Sequence, residues 1–303
     1  MGSFFQELGK KLADQWVSLL LLPGLLFVAA VRAGAGLPHG DAVNRYRLTR
    51  LTSETVRTLS QLPATSQVIV TVGVLLLATG VGWATQSLTG ATRRIWLGVW
   101  PRPFAPAHRW LVDRRVRRWH HRVAGRRELE LSYPRGSRTA GQQKQINAAA
   151  GRINRLALAE PDRPTWMGDR IQAVEQVALN RFGLDLAFTW PRLWLVLPEN
   201  VRTEITAANA AFAGATAVGT WAWPYLLLGA LWWPAALVGL VIGVTGWARA
   251  RAAVSDLTSL SEAALDLHAR TLAVALGIGA PETTGPLTIA EGERITALVR
   301  KGR

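Results

Sequence analysis

Residues 205–251 read ITAANAAFAGATAVGTWAWPYLLLGALWWPAALVGLVIGVTGWARAR, and from Ile205 to Trp247 they hold no Asp, Glu, Lys, Arg or His. A helix needs ~20 predominantly apolar residues to cross the ~30 Å hydrocarbon core of a bilayer. This run is therefore long enough for two crossings and too long for one. Trp232, Trp233 and Pro234 fall near its middle. Proline interrupts helices and tryptophan favours the membrane–water boundary, so this triplet predicts the turn of a transmembrane hairpin.

Two more apolar runs lie upstream. Trp16–Val31 is interrupted at Pro23–Gly24 and closed by Arg32, and residues 68–85, VIVTVGVLLLATGVGWAT, carry no charge. Ahead of the first run, residues 3–16 put Phe4, Phe5, Leu8, Leu12 and Trp16 on one helical face, an amphipathic start suited to a membrane surface. A cleaved signal peptide ending near Ala33-Gly34-Ala35 is the competing reading. Glu7 and Asp14 inside a long leading region argue against it.

The expected fold is an all-α integral membrane protein: four transmembrane helices as two hairpins, plus a helical cytoplasmic module. Residues 1–88 hold the amphipathic segment and first hairpin, 89–204 the module, 205–249 the second hairpin, and 250–303 a cytoplasmic helix and tail. Lys and Arg near span ends set orientation. From Arg93 to Arg127 there are eleven Arg and one acid, Asp113, whereas the connector at 33–66 has Arg45, Arg47, Arg50 and Arg57 with Asp41 and Glu54. The middle of the chain is then cytoplasmic, and so are both termini. That places the protein in a bacterial cytoplasmic membrane. Within the module, Val112, Val116, Trp119 and Val123 recur at helical spacing, as do Ile146, Ala149, Ile153 and Leu156, across a break at Pro134-Arg-Gly136. They predict a helical pair, with a third helix from near Asp169 to Phe182 stopped by Gly183.

The net charge of +15 would suggest nucleic acid in a soluble protein, but beside membrane spans it is the ordinary signature of cytoplasmic loops. There is no cysteine, which excludes disulfides, thiolate catalysis and Cys-ligated metals. No HExxH, GxSxG, P-loop or GxGxxG occurs, and Gly168-Asp169 departs from an intramembrane protease GxGD because position 166 is Trp. No ionisable residue lies inside a span, as proton-coupled transport normally requires. A non-enzymatic protein without cofactor or metal is expected.

Three sets of residues are candidates for function. Arg93, Arg94, Trp96, Trp100, Arg114, Arg115, Arg117, Arg118 and Trp119 interleave cations with aromatics as a segment lying on anionic lipid would. Nucleic acid is the weaker reading of that pattern. Trp166, Asp169, Arg170, Asp185, Trp190, Arg192 and Trp194 form either an ion-pair network between helices or a surface that docks a cytosolic protein or gates a pore. Ala207, Ala211, Ala215 and Gly219, with Gly239 and Gly243, give small residues every fourth position. That spacing suits close helix packing inside a hairpin or in a homo-oligomer.

The segment Arg163-Pro164-Thr165-Trp166, Gly168-Asp169-Arg170 and Trp190-Pro191-Arg192-Leu193-Trp194 resembles one found in uncharacterised actinobacterial multi-pass membrane proteins, over about the last half of the chain. The resemblance implies a membrane location and brings no activity. The order hairpin, helices, hairpin, tail is also similar to the layout of bestrophin anion channels, without that family's characteristic residues. Two functions follow as expectations: a membrane anchor or scaffold whose basic helices meet the anionic leaflet and dock a partner, or a homo-oligomeric channel or membrane-permeabilising effector, with Thr71, Thr79, Thr216 and Thr220 as candidates to wet a pore.

Overall fold

A computed structural model describes residues 21–37, 45–280, 282 and 285–300. The amphipathic stretch at 3–16 and the start of the first apolar run lie outside the described residues. Within them every regular element is a helix: α1 (Leu22–Gly36), α2 (Arg45–Ser60), α3 (Ala64–Ser87), α4 (Thr89–Trp96), α5 (Ala105–Ser132), α6 (Ala140–Leu156), α7 (Trp166–Phe182), α8 (Leu186–Val196), α9 (Glu199–Thr220), α10 (Ala222–Leu228), α11 (Trp233–Ala275) and α12 (Ile289–Arg300). The chain divides into two compact units. One gathers the described residues up to Thr92 with Gly214–Ala248, and the other Arg93–Ala213 with the described residues from Arg249 onward.

Two helical stretches are long and apolar enough to cross a membrane, the 33 residues Ala64–Trp96 and the 43 residues of α11. The other two expected spans are shorter or broken. The described part of α1 has 15 residues, about 22 Å of helix. The run after Ile205 is interrupted at Trp221, whose N–H turns back to the Val218 carbonyl at 3.1 Å. Pro224 is the cause: it has no N–H to give the Thr220 carbonyl. The turn expected at Trp232–Pro234 falls slightly earlier, over 229–232, because Pro234 is accommodated in the first turn of α11. There its missing N–H has no helical acceptor in any case.

The apolar unit is held by backbone contact at glycines. A Cβ on Gly24 in α1 would stand 2.1 Å from the Ala78 carbonyl oxygen in α3, and one on Gly246 would stand 2.7 Å from the Gly219 Cα. A Cβ on Gly239 would stand 2.9 Å from the Leu226 nitrogen and 3.1 Å from the Ala222 oxygen, and one on Gly243 would stand 3.3 Å from the Ala222 Cβ. Trp221, Tyr225, Leu228 and Ala235 form the buried cluster, with Phe27, Val81, Trp232 and Ile242 packed against it. Thr92, 1% exposed, ties α4 in: it accepts from the Trp223 indole N–H at 3.1 Å and lies 3.0 Å from the Thr220 hydroxyl.

The outside of this unit is as apolar as its inside. Val68, Ile69, Val70, Val72, Val74, Leu75, Leu76 and Leu77 are all exposed, and at 100° per residue they surround α3. On α11, Leu237, Val238, Leu240, Val241 and Val244 are exposed along the face opposite the packed Ala235, Gly239 and Gly246. A helix apolar on every side needs an apolar environment on every side.

The second unit has a core of its own. Val174, Ala178, Phe182, Leu193, Leu265, Leu272 and Ile295 bring together α7, α8, the later half of α11 and α12. Helices α5 and α6 pair, with Ile146, Ala149 and Ile153 of the predicted stripe buried on α6. A capping box opens α6: the Gln142 N–H donates to the Thr139 hydroxyl and the Thr139 N–H to the Gln142 side chain. Gly183 ends α7 at φ +66°, and a Cβ there would stand 2.5 Å from the Ile289 carbonyl oxygen. Gly292 is closer still, its Cβ position 1.6 Å from the Phe182 oxygen, so α12 seats directly on the turn after α7.

Substituting Gly246→Leu should lower stability by at least the ~1–3 kcal/mol of an overpacked core site. Gly73→Ala, which meets nothing within 4 Å, should leave the midpoint unchanged or raise it. Thermal unfolding in detergent micelles measures both, and equal losses at the two sites would contradict the close helix approach.

Candidate functional site

The segment RPTWMGDR builds the centre of the second unit. Gly98, at φ +70°, lies under Pro164, and Gly168 lies against the Leu97 carbonyl, so the segment is latched to the turn after α4 by backbone contact. Thr165 caps α7 by accepting from the Gly168 N–H at 3.1 Å. That cap fixes Asp169 in the first turn, where helix-end N–H groups favour a carboxylate.

Asp169 is the hub. Its Oδ1 accepts from the N–H groups of Asp162 and Arg163 at 2.9 and 2.7 Å. Its Oδ2 accepts from Arg115 Nε at 3.1 Å and from Arg115 Nη2, which also donates to the Leu156 carbonyl. The two side chains are 6% and 16% exposed. Burial pushes the Asp169 carboxyl above its ordinary value, while Arg115 and the two backbone donors pull the other way. Arg251 stacks 4.3 Å over the Trp166 ring, and burial, then the nearby Arg115, lowers its guanidinium from the usual value. Arg170 donates to the Thr258 and Ser259 hydroxyls at 2.9 and 3.3 Å.

Not all residues of the predicted docking set join this network. Asp185 caps α8 through the Ala187 N–H and pairs with Arg300 at 2.7 Å. Arg192 donates to the Phe188 carbonyl of its own helix. Trp190 and Trp194, ring centroids 6.4 Å apart, line a cavity of about 660 Å³ with Val174, Glu175, Ile205, Leu257, Thr258 and Ser261. The walls are largely apolar, with Glu175 as their one charged residue and Thr206, Asn209, Thr258 and Ser261 as their other polar side chains. Thr258 and Ser261 donate their protons to the Val254 and Leu257 carbonyls. Pro191 leaves the Ala187 carbonyl without its usual helical donor, and both residues lie on the cavity wall.

Of the predicted lipid set, Arg93, Arg94, Arg114, Arg117 and Arg118 are exposed, whereas Trp96, Trp100 and Trp119 are half-buried. Arg115 is corrected from a lipid ligand to the partner of Asp169. The signal was its place one turn from Val112, on the inward stripe of α5. Of the small residues, Ala215, Gly219 and Gly239 are buried in packing and Gly243 partly so, but Ala207 and Ala211 are exposed. Gly246, three residues beyond Gly243, is the contact that a strict four-residue spacing misses. Among the described residues no three His, Asp or Glu side chains gather where a metal ion would sit. No protein-family model, curated protein or solved structure matches the chain.

Replacing Asp169 with Ala strands a buried guanidinium and should destabilise the second unit by about 3–5 kcal/mol, whereas Arg115→Met with Asp169→Leu should cost much less. Chemical denaturation followed by tryptophan emission checks the pair, and a double variant as unstable as the single one would refute it. A second ion pair sets an acid limit. The Arg270 guanidinium and the Thr288 hydroxyl and N–H hold the Glu291 carboxyl at about 2, below the usual 4.5. The stabilisation it gives is complete above the unfolded value and disappears as pH falls from about 4.5 to about 2. Hydrogen exchange in α12 should accelerate over that window, and Glu291→Gln should abolish the pH dependence.

Proposed function

We propose that this chain is a non-enzymatic membrane anchor of the bacterial cytoplasmic membrane, crossing it four times with both termini in the cytosol. The apolar unit is its membrane-embedded part. The second unit is a cytosolic module that docks a partner protein at the inner leaflet. The observation that carries this reading is the outward apolar surface of α3 and α11, where large apolar side chains are exposed around most of α3 and along the outer face of α11. Water cannot solvate a patch of that extent without driving association.

The tryptophan-lined cavity supports the docking role. At about 660 Å³ it has the size and apolar lining of a ligand or side-chain pocket. With Glu175 as the one charged residue in its largely apolar walls, it suits an apolar segment that carries a cation, such as an amphipathic basic helix. The threonines favour a scaffold over a pore. Thr71 and Thr79 donate to the Gln67 and Leu75 carbonyls of their own helix, and Thr216 and Thr220 are buried.

The test is topology and flux together. In this Cys-free chain, Gly136→Cys on the α5–α6 turn should label only after the cells are permeabilised, and Ser53→Cys on α2 should label from outside. Liposomes carrying the purified protein should stay tight to ions. Outside labelling at Gly136→Cys would overturn the orientation, and a saturating conductance lost in Gly239→Leu would replace the scaffold with a channel.

A further inference from the structure

On α5 the residues turned away from α6 are Trp110, Arg114, Arg117, Arg118 and His121, all exposed and spaced three or four apart on one face. Phe104, immediately before the helix, is 58% exposed and Trp110 is 56% exposed. The Arg114 guanidinium lies 5.3 Å over the Trp110 ring. Among the described residues Arg114, Arg117 and Arg118 have no carboxylate partner, in contrast to Arg115 on the opposite face and Arg126, which pairs with Glu130. Asp113 flanks the face, and Glu128 comes only near the end of the helix.

Two large aromatics in water beside three uncompensated cations leave both kinds of group unsatisfied. A surface that offers phosphates at one depth and acyl chains just below satisfies both. Nucleic acid offers phosphates too, but stacking needs an open ring face. Here Arg114 covers one face of Trp110 and leaves a single face for a base, whereas a bilayer boundary accepts the whole exposed ring.

We infer that the Trp110–His121 face of α5, together with Phe104 just ahead of the helix, is an interfacial contact with an anionic bilayer leaflet. Phe104 and Trp110 enter the headgroup–acyl boundary, and Arg114, Arg117 and Arg118 hold lipid phosphates. The inference rests on the membrane reading above and adds to it a lipid class and a face. Each arginine contributes a roughly fivefold preference for the anionic surface, screened by salt.

The experiment places an environment-sensitive fluorophore on His121→Cys of the full chain in nanodiscs. Discs made of equal parts phosphatidylcholine and phosphatidylglycerol should give a blue-shifted, iodide-protected signal, and discs of phosphatidylcholine alone should not. The shift should fade with added salt and disappear in the Arg114→Gln, Arg117→Gln, Arg118→Gln variant, with helical content unchanged. Identical spectra in the two discs would overturn the inference. So would a response to single-stranded oligonucleotide in phosphatidylcholine discs without one to phosphatidylglycerol. Carbonate washing separates the two readings: all variants should stay with the membrane. Release of the unmodified chain would instead remove the anchor itself, and the leaflet contact with it.

Discussion

A buried carboxylate persists only where donors converge on it, and the second unit is arranged to supply them to Asp169. Arg115 comes from α5, two N–H groups from the loop at 162–163, and the Leu156 carbonyl at the end of α6 holds the same guanidinium from the other side. Three segments far apart in sequence are thereby fixed around one side chain. The glycines at 98 and 168 allow the loop to come close enough, because any side chain there would meet Pro164 or the Leu97 carbonyl. Hydrogen bonding and steric absence act on the same turn, which gives this part of the unit a defined centre.

The apolar unit follows different physics. In the proposed lipid setting apolar burial cannot hold helices together, because the surroundings are equally apolar, so contact falls to small residues and a few hydrogen bonds. Gly24, Gly219, Gly239 and Gly246 bring backbones together, and Thr92 collects an indole N–H and a hydroxyl. The same small residues that suggested oligomer formation are used within the unit, at Gly219 against Gly246 and at Gly239 against α10. Alanines 207 and 211, which share the spacing, contribute nothing to that packing.

Periodic features were the legible part of the sequence. The stripes at 112–123 and 146–156, the stop at Gly183 and the long uncharged runs all appear as helices and helix ends, since pattern and geometry share one period. Features that depend on distant partners were not legible. Arg115 looks like any other arginine of a basic stretch, and only its inward position on α5 distinguishes it. The break at Trp221 was hidden because Trp232, Trp233 and Pro234 gave a stronger turn signal nearby, while Pro224 acted within what looked like an unbroken span. Asp185 and Arg192 read as members of one network with Asp169, yet one caps a helix and the other bonds to its own backbone.

The second unit is assembled from two stretches that flank Gly214–Ala248, and this has a consequence for how the protein is made. Its core needs Ile295, and α12 seats on the turn at Gly183 through Gly292. A ribosome that has just finished Ala213 must still make some 80 residues before that helix exists, roughly 4–16 s at ordinary elongation rates. Throughout that interval Val174, Phe182 and Leu193 have no complete cover. The apolar segments are thus complete before the second unit can close, and chaperones that guard exposed apolar surface have a defined window in which to act on this chain.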